Sequence, residues 1–216
     1  RGLMDLRPGG SLEQFKRADG QAALAPIAGT EVLAMRQLGD MHQSSAVLLQ
    51  IPDQFNWDKP CLVASATSGS RGIYGAIPVI AHWALPRPCA VVYTEKGAGN
   101  GVSLASQEMG YRSTGQLVSI FQAAFDPLVD EEISEAKWEV YTEENPHRIA
   151  FRHAHSADNP EASWGAFLID AVYFALDELN VRRPAEADPI THMNTQIIAT
   201  GISNGGGAAL AAVEML

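Results

Sequence analysis

The chain has 216 residues, 46% hydrophobic and 19% charged, which suits one sizeable buried core or part of a larger one rather than a disordered chain. Fifteen Lys and Arg against 25 Asp and Glu give a formal net charge of -10, and the bases form no cluster. That excludes a surface built to attract nucleic acid or anionic lipid, since both need a concentrated positive footprint.

The longest apolar runs, 73–85 and 196–202, are too short or too interrupted to span a bilayer. Residues 1–20 carry charges and glycines where a signal peptide needs a continuous apolar stretch, and the absence of an initiating Met points to a processed or incomplete chain. Cys61 and Cys89 lack C-x-x-C spacing, so neither a zinc knuckle nor a dithiol redox site is supported. Each opens an apolar run and reads as a buried free thiol, with a disulfide between them as the alternative in an oxidising compartment.

Residues 1–45 read as an irregular N-terminal extension with room for one short helix at 12–18, leading into two short strands at 31–38 and 45–51. Cys61-Leu62-Val63-Ala64-Ser65-Ala66 is a nearly continuous apolar strand that runs into the small-residue turn Thr67-Ser68-Gly69-Ser70-Arg71-Gly72. Residues 73–85 have helical spacing at Ile73, Ile77 and Ile80, with Pro78 set against one unbroken helix. Cys89-Ala90-Val91-Val92-Tyr93-Thr94 is a second compact strand. Strand, helix and strand with short connections predict a βαβ unit of a parallel sheet covered on both faces.

The turn Gly97-Ala98-Gly99-Asn100-Gly101 follows that strand, but Val102 stands where a dinucleotide fingerprint requires glycine. Within residues 103–150, the stretch 107–148 is the least legible, with a helix expected at 117–125 and an acidic helix or loop at 130–137. They suit an excursion from the sheet, part of a lid or an ordinary connection. Residues 149–155 read as another strand, closed by Asn159-Pro160. In 162–180, Leu168, Val172, Ala175 and Leu179 line one side of a helix at spacings of three and four, with Asp170 and Asp177 opposite them toward solvent.

Residues 195–200 are a strand, and 206–216 have the alanine and leucine content of a helix. Between them lies Gly201-Ile202-Ser203-Asn204-Gly205, the pattern of a nucleophile elbow. A serine hydroxyl becomes a useful nucleophile when it is held exposed and its proton is removed. A sharp strand-to-helix turn supplies the exposure, and glycines two places before and after remove side chains that would clash. The Asn204 N–H, beside the first helical turn, suits a developing oxyanion, and Ser68, Gly69 and Ser70 are candidates for the second donor. The alternative reading makes Ser203 an ordinary helix cap.

The base is not evident. His42, His82, His147, His153, His155 and His192 all precede Ser203, whereas the histidine of this serine-hydrolase class usually follows its nucleophile. His82 reads as a helix-surface or packing residue, and His192 lies one strand length from the elbow. His153 and His155 would share one side of a strand, but no third ligand supports a metal pair.

Three stretches together resemble the 3-hydroxybutyrate oligomer hydrolase family: CLVASATSGSRGIYGAIPVIAHWALPRPCAVVYTEKGAGNG at 61–101, FRHAHSADNPEASWG at 151–165 and IIATGISNGGGAALAA at 197–212. The resemblance implies an α/β-hydrolase-like parallel sheet with helices on both faces, of which residues 1–216 form a partial, N-terminal portion. It implies a secreted or periplasmic serine esterase that cleaves short (R)-3-hydroxybutyrate oligomers to monomers through an acyl-enzyme on Ser203. No metal or organic cofactor, nucleic acid or membrane is implied.

The acid and histidine would come from a remainder of the polypeptide or from a second chain. The substrates would be small anionic ester oligomers, whose terminal carboxylate suits the guanidinium of Arg71. The rivals are a related carboxylesterase of tannase or feruloyl-esterase type and a noncatalytic domain that keeps an elbow-like turn.

Overall fold

The computed structural model describes residues 27–39, 44–68, 72–96, 102–111, 116–121, 134–151 and 159–216. In chain order the elements are β1 (Gly29–Gln37), β2 (Ser44–Pro52), β3 (Cys61–Ala66), α1 (Ile77–Ala84), β4 (Ala90–Thr94), β5 (Val102–Leu104), β6 (Met109–Tyr111), β7 (Leu117–Ser119), α2 (Glu135–Glu144), β8 (Ile149–Phe151), α3 (Pro160–Arg182), β9 (Gln196–Gly201) and α4 (Gly205–Glu214). They form an α/β fold with two sheets.

The larger sheet has the order β1-β2-β4-β3-β9. β3 lies parallel to β4, as the βαβ pattern predicts, and also to β9, but β2 runs antiparallel to β1 and to β4. The sheet is therefore mixed rather than wholly parallel. β1 falls where a strand is expected at 31–38, starts two residues earlier, and pairs with β2 over nine residue pairs, so this part of the 1–45 stretch is regular.

Every residue of β3 and β4 is buried, which accounts for their continuous apolar sequences. One sheet face, with Leu49, Leu62 and Val92, packs against Phe167, Leu168 and Leu179 of α3 and Ala208, Ala209 and Ala212 of α4. The other, with Leu48, Val63 and Tyr93, packs against Ile80 and Ala84 of α1. Burying side chains such as Leu168 and Phe167 contributes about 1.5–3 kcal/mol each.

Residues 73–85 split into a 3-10 turn at Ile73–Gly75 and the helix α1, with Pro78 in the helix's first turn. There its missing N–H would have no intrahelical partner in any case. α3 starts where Asn159 accepts a hydrogen bond from the Ala162 N–H and Pro160 fixes the first helical φ.

Two readings of individual residues are corrected. Cys61 and Cys89 form a disulfide rather than standing as free thiols. Leu62 pairs with Ala90, so the cysteines immediately preceding them fall side by side, with Cα atoms 4.6 Å apart across 28 residues of sequence. Asp170 is not a solvent-facing carboxylate, because Arg36 on β1 donates to both its oxygens, at 2.9 and 2.7 Å. This bond raises the Arg36 pKa above its usual value and ties α3 to the first strand.

The smaller sheet is antiparallel throughout, in the order β7-β6-β5-β8. It draws on the 103–150 stretch and has its own core of Ala105, Val118, Ile120 and Trp138. The Trp138 indole N–H donates to the Ala105 carbonyl at 3.1 Å. The helix expected at 117–125 is instead the strand β7, followed by a turn at 120–121, with residues 122–125 outside the described set. Cross-strand pairing of Met109 with Ser119 and Tyr111 with Leu117 overrides the local helical reading.

Candidate active site

β9 ends at Gly201, and three residues carry the chain into α4. The Ile202 N–H donates to the Ala66 carbonyl at 3.1 Å, continuing the β3–β9 pairing one residue past the strand. The turn closes with Gly205 N–H to Ile202 O at 2.9 Å and Gly206 N–H to Ser203 O at 3.0 Å. Ser203 lies in this turn with φ +57° and is exposed. That left-handed conformation costs a non-glycine residue about 1–2 kcal/mol. It turns the side chain out of the line of the strand.

The two glycines of the motif sit at close approaches. A Cβ on Gly201 would run into the backbone of Gly205 and Gly206, and one on Gly205 would strike the carbonyl oxygens of Thr67 and Ala66. A Cβ on Gly206 or Gly207 would meet nothing within 4 Å, so no steric contact requires glycine there. Asn204 is the N-cap residue of α4, and the helix start has no side-chain cap hydrogen bond. Ser203 is therefore not its capping residue.

The connection after β3 starts beside this turn. Thr67 is fully buried, its N–H donates to the Thr94 carbonyl at 3.1 Å, and its own carbonyl faces Gly205. Ser68, the next residue, is half-buried and directly follows Thr67. Gly69, Ser70 and Arg71 lie outside the described residues, as do His42, His153 and His155.

Sequence reasoning missed a second cluster at this edge. Lys96, two residues past β4, is buried, forms an ion pair with Glu161 in the first turn of α3 and sits 4.9 Å from the centre of the Trp164 ring. Burial lowers the Lys96 pKa from its usual value. The cluster fixes the start of α3 against the end of β4. One residue further, Gly165 lets α3 meet α4, since a Cβ there would stand 2.9 Å from the backbone of Ala211 and Ala212.

The described histidines are spread over the fold. His82 belongs to α1, His147 to the turn after α2, and His192 precedes β9, with its ring centroid 6.4 Å from that of Tyr173. Among the described residues no side chain hydrogen-bonds the Ser203 hydroxyl, and no group of three His, Cys, Asp or Glu is placed to hold a metal. The arrangement presents an exposed hydroxyl at a helix start, positioned by backbone contacts on several sides.

The family model described as 3HB-oligomer hydrolase matches residues 5–215. The chain is 40% identical over 193 residues to the D-(-)-3-hydroxybutyrate oligomer hydrolase of Paraburkholderia xenovorans, covering 87% of this chain and 27% of that protein. It is 41% identical over 199 residues to the protein of the same description from Ralstonia pickettii, covering 87% and 26%. With that of Burkholderia cenocepacia the identity is 36% over 226 residues, covering 99% and 32%. The chain thus spans a third or less of these relatives' length. No solved structure matches it significantly.

Proposed function

The chain belongs to the 3HB-oligomer hydrolase family, and from that premise we propose that it carries the nucleophile of a serine esterase that hydrolyses short (R)-3-hydroxybutyrate oligomers to monomers. The observation that carries this reading is Ser203, an exposed hydroxyl at φ +57° in a turn whose flanking glycines admit no Cβ. The sheet order β1-β2-β4-β3-β9, with the turn directly after β9, supports an α/β-hydrolase-like fold.

In this reading the Ser203 Oγ attacks the ester carbonyl carbon as a base takes its proton. The carbonyl oxygen gains charge and accepts hydrogen bonds from the Asn204 N–H and from an N–H of the connection holding Ser68, Gly69 and Ser70. Collapse of this intermediate expels the alcohol end of the oligomer, whose oxygen takes the proton back from the base, and leaves an acyl-enzyme on Ser203. Water, activated by the same base, releases the second hydroxyacid. The histidine and its acid come from polypeptide beyond these residues or from a second chain.

Arg71 follows Thr67 by four residues and binds the terminal carboxylate of the oligomer. The Cys61–Cys89 disulfide supports an oxidising, secreted or periplasmic setting. Among the described residues no helix is long and apolar enough to cross a membrane.

The test is hydrolysis of a 3-hydroxybutyrate dimer by the full-length polypeptide, beside an aromatic ester as the rival substrate. Ser203→Ala lowers kcat by at least about 10³-fold with the fold intact, and Arg71→Gln raises KM for the dimer much more than for a neutral ester. Dimer hydrolysis that survives Ser203→Ala refutes the assignment of the nucleophile. Preference for the aromatic ester transfers the chain to the tannase-like reading.

A further inference from the structure

A cleft of about 490 Å³ opens at the opposite end of the larger sheet from Ser203. It lies where β3, β4 and β9 begin, beside the Cys61–Cys89 disulfide and Gln196. Gln196 is five residues from Gly201 along β9, a separation of about 17 Å.

The lining is divided in chemistry. Lys59 and Arg87 supply two cations, Asn56 and Gln196 supply amides, and Trp83 and Ile198 supply apolar surface. Among the described residues no carboxylate lines the cleft, in a chain where acids outnumber bases 25 to 15. Asp58, adjacent to Lys59 in sequence, is outside the lining. Local contacts fix both cationic segments. The Asn56 Oδ1 accepts from the Asp58 and Lys59 N–H groups at 3.1 and 3.0 Å, and the Arg87 Nη1 donates to the Trp83 carbonyl at 2.6 Å. Arg87 is therefore held against the end of α1 while it lines the cleft.

We propose that this cleft binds a short aliphatic monocarboxylate, with the carboxylate between Lys59 and Arg87 and the alkyl chain against Trp83 and Ile198. Two cations in one lining favour an anion, and the apolar wall favours a hydrocarbon tail over a fully hydrated inorganic ion. The proposal stands apart from the reading of Ser203, since the two sites share no residue.

Calorimetric titration of the full-length polypeptide with sodium butyrate and with (R)-3-hydroxybutyrate tests it, with inorganic phosphate at matched ionic strength as the control. The expected Kd for the carboxylates is about 1–10 mM, as suits so few ligand atoms. The double variant Lys59→Gln with Arg87→Gln weakens binding at least tenfold, Trp83→Ala weakens butyrate several-fold, and Ser203→Ala leaves it unchanged. Lys59 and Arg87 are exposed, so their replacement leaves the fold in place. The proposal is overturned by unchanged binding in the double variant, loss of binding in Ser203→Ala, phosphate bound as tightly as butyrate, or no heat of binding up to 100 mM.

Discussion

Replacing Ser203 with glycine separates the strain in the elbow from its chemistry. At φ +57° a residue with a Cβ loses about 1–2 kcal/mol, and glycine does not. Glycine also gives the unfolded chain more freedom, which returns about 0.5–1 kcal/mol. The net expectation is that Ser203→Gly is more stable than the parent by about 0.5–1 kcal/mol. In a chain of this size that raises Tm by about 1–4 °C. Ser203→Ala keeps the Cβ and the strain, so its stability stays within about 0.5 kcal/mol of the parent.

Both variants lose the hydroxyl and fall to the same residual activity. Urea unfolding of the three proteins, read with ester hydrolysis, gives the comparison. If Ser203→Gly proves no more stable than Ser203→Ala, the turn does not hold Ser203 in a strained conformation, and the structural case for the elbow fails with it.

Gly205→Ala and Gly206→Ala should move stability in opposite directions. The first drives a Cβ onto the Thr67 and Ala66 carbonyls and costs about 2–3 kcal/mol with loss of activity, whereas the second faces open space and gains up to about 1 kcal/mol of helix propensity. Equal effects in urea unfolding would contradict the close approach. Cys61→Ser with Cys89→Ser opens a covalent loop spanning 28 residues and lowers stability by about 3.5 kcal/mol, measured as a fall in Tm that dithiothreitol reproduces in the parent.

Tyr93 is fully buried, and its hydroxyl donates to the Gln50 Oε1 at 2.9 Å, with burial raising its pKa far above the usual 10.0. The unfolded chain then loses this proton first as pH rises. The stability from Tyr93 is complete below pH 10 and declines above it by about 1.4 kcal/mol per pH unit, a slope that Tyr93→Phe removes in unfolding titrations.

What the sequence disclosed depended on how far each signal reached. β3, β4 and α3 are long enough for their apolar patterns to be unambiguous, and they fold within a few residues of where those patterns place them. β7 has three residues, too few to establish a period, and its pairing with β6 decides its form. The antiparallel setting of β2 depends on which strand it meets, a long-range choice that its own alternation does not encode.

The corrected residues share that cause. Cys61 opens β3 and Cys89 sits just before β4 in the same βαβ unit, which was the available signal, but they meet only because β3 and β4 are neighbours in matching register. Asp170 lies on the polar side of α3, where helical periodicity alone points it to solvent, and β1 brings Arg36 to it from 134 residues away. The strand, turn and helix around Ser203 were legible because their determinants are local: a strand, two glycines and a helix within one continuous segment. Nothing local encodes the base that the proposed nucleophile would need.

The contacts that hold Ser203 are nearly all made by backbone. β3 holds Ile202 by a main-chain hydrogen bond, the Thr67 and Ala66 carbonyls bound Gly205, and α3 meets the backbone of α4 through Gly165. Small side chains at 205, 208, 209 and 212 let α4 lie close on the sheet and α3, and the buried methyl groups of the three alanines contribute roughly 0.8 kcal/mol each. That sum is of the same size as the strain at Ser203, so burial of α4 is sufficient to keep the turn in its left-handed conformation. Lys96 and Glu161 extend the support by fixing the start of α3, which in turn limits how far α4 can shift. A substitution that enlarges Gly165 should therefore disturb Ser203 through α4 without touching it, whereas exchanging exposed side chains on the outer face of α4, such as Leu210, should leave the turn in place.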